Sequence, residues 1–195
     1  MSLQLTKEVV SSGIPIFQKV FETAQGGFTL DNTGLTKGST IPAGAPIAYD
    51  ESTRMAKVLK TGQVYENAGG SATAYKLKKG SLFNIGDYIG NVVGGKAYAI
   101  TAIDTTGSNV YDTLTVGTSI GAVTAGDGVF QSSATGATSA ALSVTPRGLL
   151  NEDVTISTDA DLSVVVRGTV YERRAPGYTT GIKTLLPLII FSQSF

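Results

Sequence analysis

The side chains that do most enzyme chemistry are largely missing from this chain. Its 195 residues contain no His and no Cys. Without His there is no Ser-His-Asp triad, and the commonest general base and metal ligand are gone. Without Cys there are no thiolate nucleophiles, thiolate metal sites or disulfides, and the fold is indifferent to redox poise. One stretch does carry a chemical spacing. Gly90, Gly95 and Lys96 in "GNVVGGKAYAI" match the GxxxxGK of a phosphate-binding loop. That loop needs Ser or Thr after the lysine to hold magnesium, and a helix whose N-terminus faces the phosphates. Ala97 follows Lys96, and "AYAITAID" alternates with period two, which predicts a strand. The match is therefore read as a glycine-rich turn feeding a strand, and no nucleotide is expected.

The charged residues offer little more. Glu152, Asp153, Asp159 and Asp161 lie close in sequence, but calcium takes six to eight oxygen ligands and no EF-hand spacing is present. "STDADLS" reads as a solvated turn, and no metal or cofactor is expected. A glycosidase carboxylate pair can be far apart along a chain, yet nothing singles one out. No catalytic residue is assigned, and the chain is read as a non-enzyme. Two basic runs stand out: Lys76, Lys78 and Lys79 in "YKLKKG", and Arg173 and Arg174 after Tyr171. Both read as solvated strand edges, where lysine discourages edge-to-edge pairing, with a local anionic partner as the alternative. Fifteen basic residues balance fifteen acidic ones. No basic excess exists to neutralise a run of phosphates, which argues against a general nucleic-acid binder.

The apolar C-terminus is the other candidate. "LLPLIIF" at Leu185–Phe191 is too short to span a bilayer and holds a proline, so no membrane partner is expected. The N-terminus lacks the basic and apolar regions of a signal peptide. The C-terminal run reads as a buried strand, packed either in the subunit's own core or against a neighbouring subunit. Leu185, Leu186, Leu188, Ile189 and Phe191 are therefore candidate contacts with a neighbouring subunit or another protein surface. Tyr171 and Tyr178 join them because Tyr is enriched in interfaces.

The elements that must position these residues are β throughout. Hydrophobic residues make up 42% of the chain, enough for a core, while charged residues are only 15% against about 25% in ordinary soluble proteins. Such a low-charge surface suits a protein packed against others. "IPAGAPIAYDESTRMAKVLK" reads as a hairpin, with Ile47–Tyr49 and Met55–Leu59 as strands around a four-residue loop at Asp50–Thr53. Val164, Val165 and Val166 run consecutively, as in a strand covered on both faces. "FNIGDYIG" and "AVTAGDGVF" look like two similar turns leading into strands. Two low-complexity stretches, Asn67–Ala74 and Ser132–Ala140, read as linkers bracketing an inserted unit. The expected organisation is an arm over 1–27, an outer β unit from 28–71 plus 138–195, and an inserted small β domain over 72–137. The fold class is all-β.

"IPAGAPIAYDESTRMAKVLKTGQVY", "VTPRGLLNEDVTI", "VVVRGTVYERRAP" and "IKTLLPLIIF" together resemble the phage head fibre family. More loosely they resemble the lambda-type head decoration proteins. "YKLKKGSLFNIGDYIG" is similar to the small β domain inserted in the fibre branch. The motifs cover about half the chain and leave the first 27 residues unexplained. The resemblance implies a β-tulip-like decoration unit with an inserted small β-barrel or sandwich. It also implies a structural virion protein on the outer surface of the capsid, made in the bacterial host cytoplasm, with the major capsid protein as partner and self-association as a homotrimer. The alternative is a carbohydrate- or cell-surface-binding β module with a host glycan as partner. The absence of Trp and an aromatic content of 8% weaken that reading.

Overall fold

Alternation becomes strand structure most plainly at Tyr111–Val116, where Asp112, Leu114 and Val116 point inward and are buried while the residues between them are half-exposed. The computed structural model describes residues 15–194, and the chain is all-β apart from short helical turns. The first strands are β1 (Phe17–Thr23), β2 (Phe28–Leu30), β3 (Thr40–Ile41), β4 (Pro46–Tyr49) and β5 (Met55–Val58). Then come β6 (Thr61–Gln63), β7 (Ala74–Lys78), β8 (Tyr88–Gly90), β9 (Ala97–Asp104), β10 (Tyr111–Val116) and β11 (Gly128–Ser132). The last are β12 (Gly148–Leu150), β13 (Val154–Thr155), β14 (Asp161–Leu162), β15 (Val164–Tyr171) and β16 (Ile189–Ser192), with helix α1 (Thr180–Leu185) before β16.

Two larger sheets organise these strands. An eight-stranded sheet runs β1-β15-β12-β4-β5-β2-β14, with β16 pairing β15 in parallel, and β13 and β3 pair separately. A six-stranded sheet runs β6-β11-β8-β9-β10-β7. Its two ends meet at a Val64–Leu77 bridge, reinforced by Tyr65 N donating to Lys76 O at 2.8 Å, so it curls toward a barrel. Tyr75, Leu77, Ile89, Ile100, Leu114 and Val129 fill that barrel. The buried Tyr75 hydroxyl donates to Ala72 O and accepts from Ile120 N.

The hairpin forms as read, with Ile47 opposite Val58. Its loop closes where Asp50 N donates to Met55 O, so the four loop residues are Glu51–Arg54, one position later than expected. The two Gly-Asp turns are near copies. Asn84 N donates to Asp87 Oδ2 and Thr124 N to Asp127 Oδ2, both at 2.8 Å, and each Asp N–H returns to the main-chain oxygen three residues back. Gly86 (φ +94°) and Gly126 (φ +95°) supply the left-handed residue that each turn requires. Part of the valine run is buried on both faces as read, through Val164 and Val165, while Val166 is half-buried. Val164 belongs to the core of the eight-stranded sheet, and Val165 faces a second cluster shared with the barrel.

The organisation differs from the sequence reading in three ways. The barrel begins at β6, so residues 61–71 belong with it and not with the outer unit. The two low-complexity stretches are not joints. Ala68 bridges Val123, Gly136 bridges Ala97, and Ser132 bridges Leu142. Small residues there let backbones approach closely, a use that composition alone does not separate from a linker. Finally, part of the expected arm is an edge strand. Phe17–Thr23 pairs along β15, whereas residues 1–14 lie outside the described residues.

A shared core joins the two units. Phe130, Ala97 and Leu59 pack with Leu149, Val165, Val170, Tyr178 and Ile182. Beside it, where the chain passes from β5 to β6, lies an enclosed ion pair. The Lys60 side chain is 3% exposed, and its Nζ sits 2.6 Å from Asp87 Oδ2. Asp87 also accepts from Gln131 Nε2 at 3.0 Å.

Candidate functional site

The C-terminal corner is built from the 3-10 turn Glu172–Arg174, α1 and β16, all resting on β15. Helix α1 starts because Thr179 caps it, its Oγ1 accepting from Ile182 N at 3.4 Å, and Pro187 forbids its continuation. After one turn around Pro187 the chain re-enters the sheet as β16, with Ile189 beside Gly168 and Phe191 beside Val170. Lys183 pairs with Glu172, and Gln193 Nε2 donates to the same carboxylate, which ties helix, turn and last strand together.

This geometry divides the predicted contact residues. Leu186 and Ile189 are buried in the subunit's own core. So is Tyr178, whose hydroxyl donates to Gly44 O at 2.7 Å and whose ring meets Phe191 edge-on at 4.9 Å. Burial, aided by the Glu172 charge, holds the Tyr178 phenol well above the usual tyrosine range. These three side chains are unavailable as contacts: the buried-strand reading holds for Ile189, while Leu185 belongs to a helix, Leu186 caps that helix and Tyr178 lies in the loop before it. Leu185 is 41%, Leu188 58% and Ile190 62% exposed. Phe191 and Tyr171 are half-buried, with the Arg174 guanidinium 4.4 Å from the Tyr171 ring centre.

The apolar surface extends beyond the tail. Ile190, Thr169 and Lys19 lie in one row across β16, β15 and β1. Phe21, also exposed, is flanked by Lys19 at 4.8 Å and Arg167 at 5.6 Å. On the other side of the corner Val93, itself exposed, packs so close to Gly181 that a Cβ there would meet it at 2.7 Å. Val93 belongs to the GxxxxGK turn, so that motif has a packing role. The turn joins β8 to β9, and its N–H groups are already used: Gly94 N donates to Ala140 O, Gly95 N to Val92 O and Ala97 N to Gly136 O. The exposed Ile190, Phe21, Val92 and Val93 extend the face past the residues singled out in the sequence. "LLPLIIF" is apolar throughout, so nothing in it marks Ile190 as outward-facing.

The other candidates fall into structural roles. Asp153 Oδ1 accepts from Ala43 N at 2.7 Å and pins the "IPAG" corner, so two of the stretches behind the resemblance meet in space. Among the described residues no group of three acidic side chains is placed to hold a metal ion. The two basic runs converge, with Lys78 Nζ donating to Arg173 O at 3.3 Å. Among the described residues no helix is long and apolar enough to cross a membrane. No protein-family model, curated protein or solved structure matches this chain.

Proposed function

We propose that this chain is a non-enzymatic structural protein of a phage virion, a head decoration or head fibre protein seated on the major capsid protein at the outer surface of the shell. It self-associates as a homotrimer through its C-terminal corner. The observation that carries this reading is the set of exposed apolar side chains Leu185, Leu188 and Ile190, carried in succession by α1, the turn after Pro187 and β16, which pairs with β15. Monomers seldom leave such side chains together in water unless another surface covers them. The resemblance to head fibre proteins supplies the class of partner, and the low charge of the chain suits life against a shell. Light scattering on the purified chain tests the first half: the expected mass is that of a trimer, reduced to a monomer by Leu188→Glu with Ile190→Lys. Co-sedimentation with expanded capsids of the phage that encodes it tests the second. A wild-type chain that stays monomeric at high concentration and does not sediment with those capsids would remove this reading.

A further inference from the structure

The barrel repeats itself about an internal twofold axis. β8 and β11 run antiparallel with Gly90 opposite Phe130, and the Gly-Asp turn at residues 84–87 enters β8 as the turn at 124–127 enters β11. Outside them, β9 lies on β8 as β6 lies on β11: Ala97, Tyr98 and Ala99 take the places of Thr61, Gly62 and Gln63. The links across each turn match too, with Ile100 N donating to Asp87 O at 2.9 Å and Val64 N to Asp127 O at 2.8 Å. Each residue of one half therefore has a counterpart in the other. Asp127 answers to Asp87. One step beyond the paired residues, Asn91 answers to Gln131 and Lys96 to Lys60.

Around Asp87 the set is complete: its carboxylate takes Lys60 Nζ at 2.6 Å and Gln131 Nε2 at 3.0 Å. Around Asp127 it is not. Asp127 Oδ2 accepts from Thr124 N, but among the described residues no ion pair includes this carboxylate. Lys96 is exposed and joins none of those ion pairs either. Where the first turn holds an ammonium, the second borders an open groove of about 340 Å³, within the roughly 300–1,000 Å³ of ligand pockets. Asp127 and Asn91 line it beside Val92 and Ala122. It holds two carboxylates, Asp127 and Glu172, against one ammonium, that of Lys183, which Glu172 already engages. We propose that this groove receives a lysine side chain of the capsid protein, its ammonium on Asp127 as Lys60 sits on Asp87 and its stem along Val92. The source of the lysine rests on the reading that the adjoining apolar corner meets the capsid. Val92 is exposed there, and its neighbour Val93 packs on α1 at Gly181.

NMR titration of the labelled full chain with Nα-acetyl-lysine methylamide tests the site, beside the norleucine analogue, which keeps the stem and lacks the ammonium. Saturable shifts are expected at Asn91, Gly126 and Asp127. The norleucine analogue, and the lysine probe on Asp127→Asn, should each bind at least about fivefold more weakly, as loss of a charge-assisted hydrogen bond implies. An unchanged melting temperature shows that Asp127→Asn is folded. No saturable shift at high millimolar probe, or equal binding of the norleucine analogue, overturns the site. Binding that appears only in Lys96→Met overturns it too, and returns the groove to the chain's own Lys96. Co-sedimentation with expanded capsids tests the source of the lysine. Asp127→Asn should pellet at least about fivefold less than wild type at an unchanged oligomeric mass, and equal pelleting overturns the capsid lysine. A chain that takes the probe yet pellets with no capsid removes the capsid reading and supports the ammonium site by itself.

Discussion

Removing the carboxylate of Asp87 should be among the most damaging single changes outside the hydrophobic core. Asp87 accepts from Lys60 Nζ at 2.6 Å, Asn84 N at 2.8 Å and Gln131 Nε2 at 3.0 Å. Asp87→Ala strips all three donors of their acceptor and leaves the ammonium of Lys60, 3% exposed, without a counter-charge. An orphaned buried charge costs about 3–5 kcal/mol. At about 2–4 °C per kcal/mol for a chain of this size, the melting temperature should fall by roughly 6–20 °C. Lys60→Met is milder, because Asp87 keeps two donors and partial access to water; about 1–3 kcal/mol is expected. The double variant should be less destabilised than the sum of the singles, since each single leaves a partner that the double removes. Urea unfolding followed by tyrosine fluorescence measures all three. A loss under about 1 kcal/mol for Asp87→Ala, or additive singles, would refute the claim that the Lys60 ammonium is closed off from water.

Hydrogen bonds from Ser52, side chain first, hold the Asp50 carboxyl below its ordinary range, and those from Thr106, main chain first, do the same for Asp104. Their folded values lie below the unfolded ones, so their contribution is present above about pH 4 and is lost as pH falls through the folded values. The urea midpoints of wild type and Asp50→Asn should therefore differ at neutral pH and converge in acid. Tyr178 works in the opposite sense: its raised folded value adds stability below about pH 10 that is lost as pH rises further. Tyr178→Phe should cost about 1 kcal/mol at neutral pH through the lost bond to Gly44 O, and should flatten the alkaline decline in melting temperature. Gly177 has φ +104°, and a Cβ there would lie 2.6 Å from Gly62 O, so Gly177→Ala should cost at least about 2 kcal/mol. Gly38→Ala, at φ +86° with open space around it, should cost only about 1 kcal/mol in the same denaturation assay.

Local signals carried much of the fold. Alternation gave Tyr111–Val116, turn chemistry gave the paired Gly-Asp motifs, and the consecutive valines marked a strand with a core on each face. Long-range pairing was illegible. Thr61–Gln63 has no alternation, and only its partner Gly128–Phe130 makes it a barrel strand. The stretches Asn67–Ala74 and Ser132–Ala140 have the composition of linkers, although their backbones pair across the barrel wall. Helix α1 was missed because one turn is too short to show a period, although Thr179 before it and Pro187 after it are the stop and start signals a helix leaves. At the C-terminal corner the apolar content of the tail was legible. Which of its side chains face outward was not, because that depends on the register of β16 against β15.

The strand β15 has consequences for the order in which the chain folds as it is made. It is flanked by β1 on one edge, and by β12 and then β16 on the other, so the first and last described strands both depend on it. During synthesis β1 emerges well before residues 164–171 supply its partner, and β16 follows them. The barrel closes among residues 61–132 and can form with none of these present. Nascent chains should therefore carry a formed barrel with an unfinished sheet, and the apolar corner assembles only after residues 189–192 have emerged. The exposed apolar corner is thereby withheld until β16 has docked on β15.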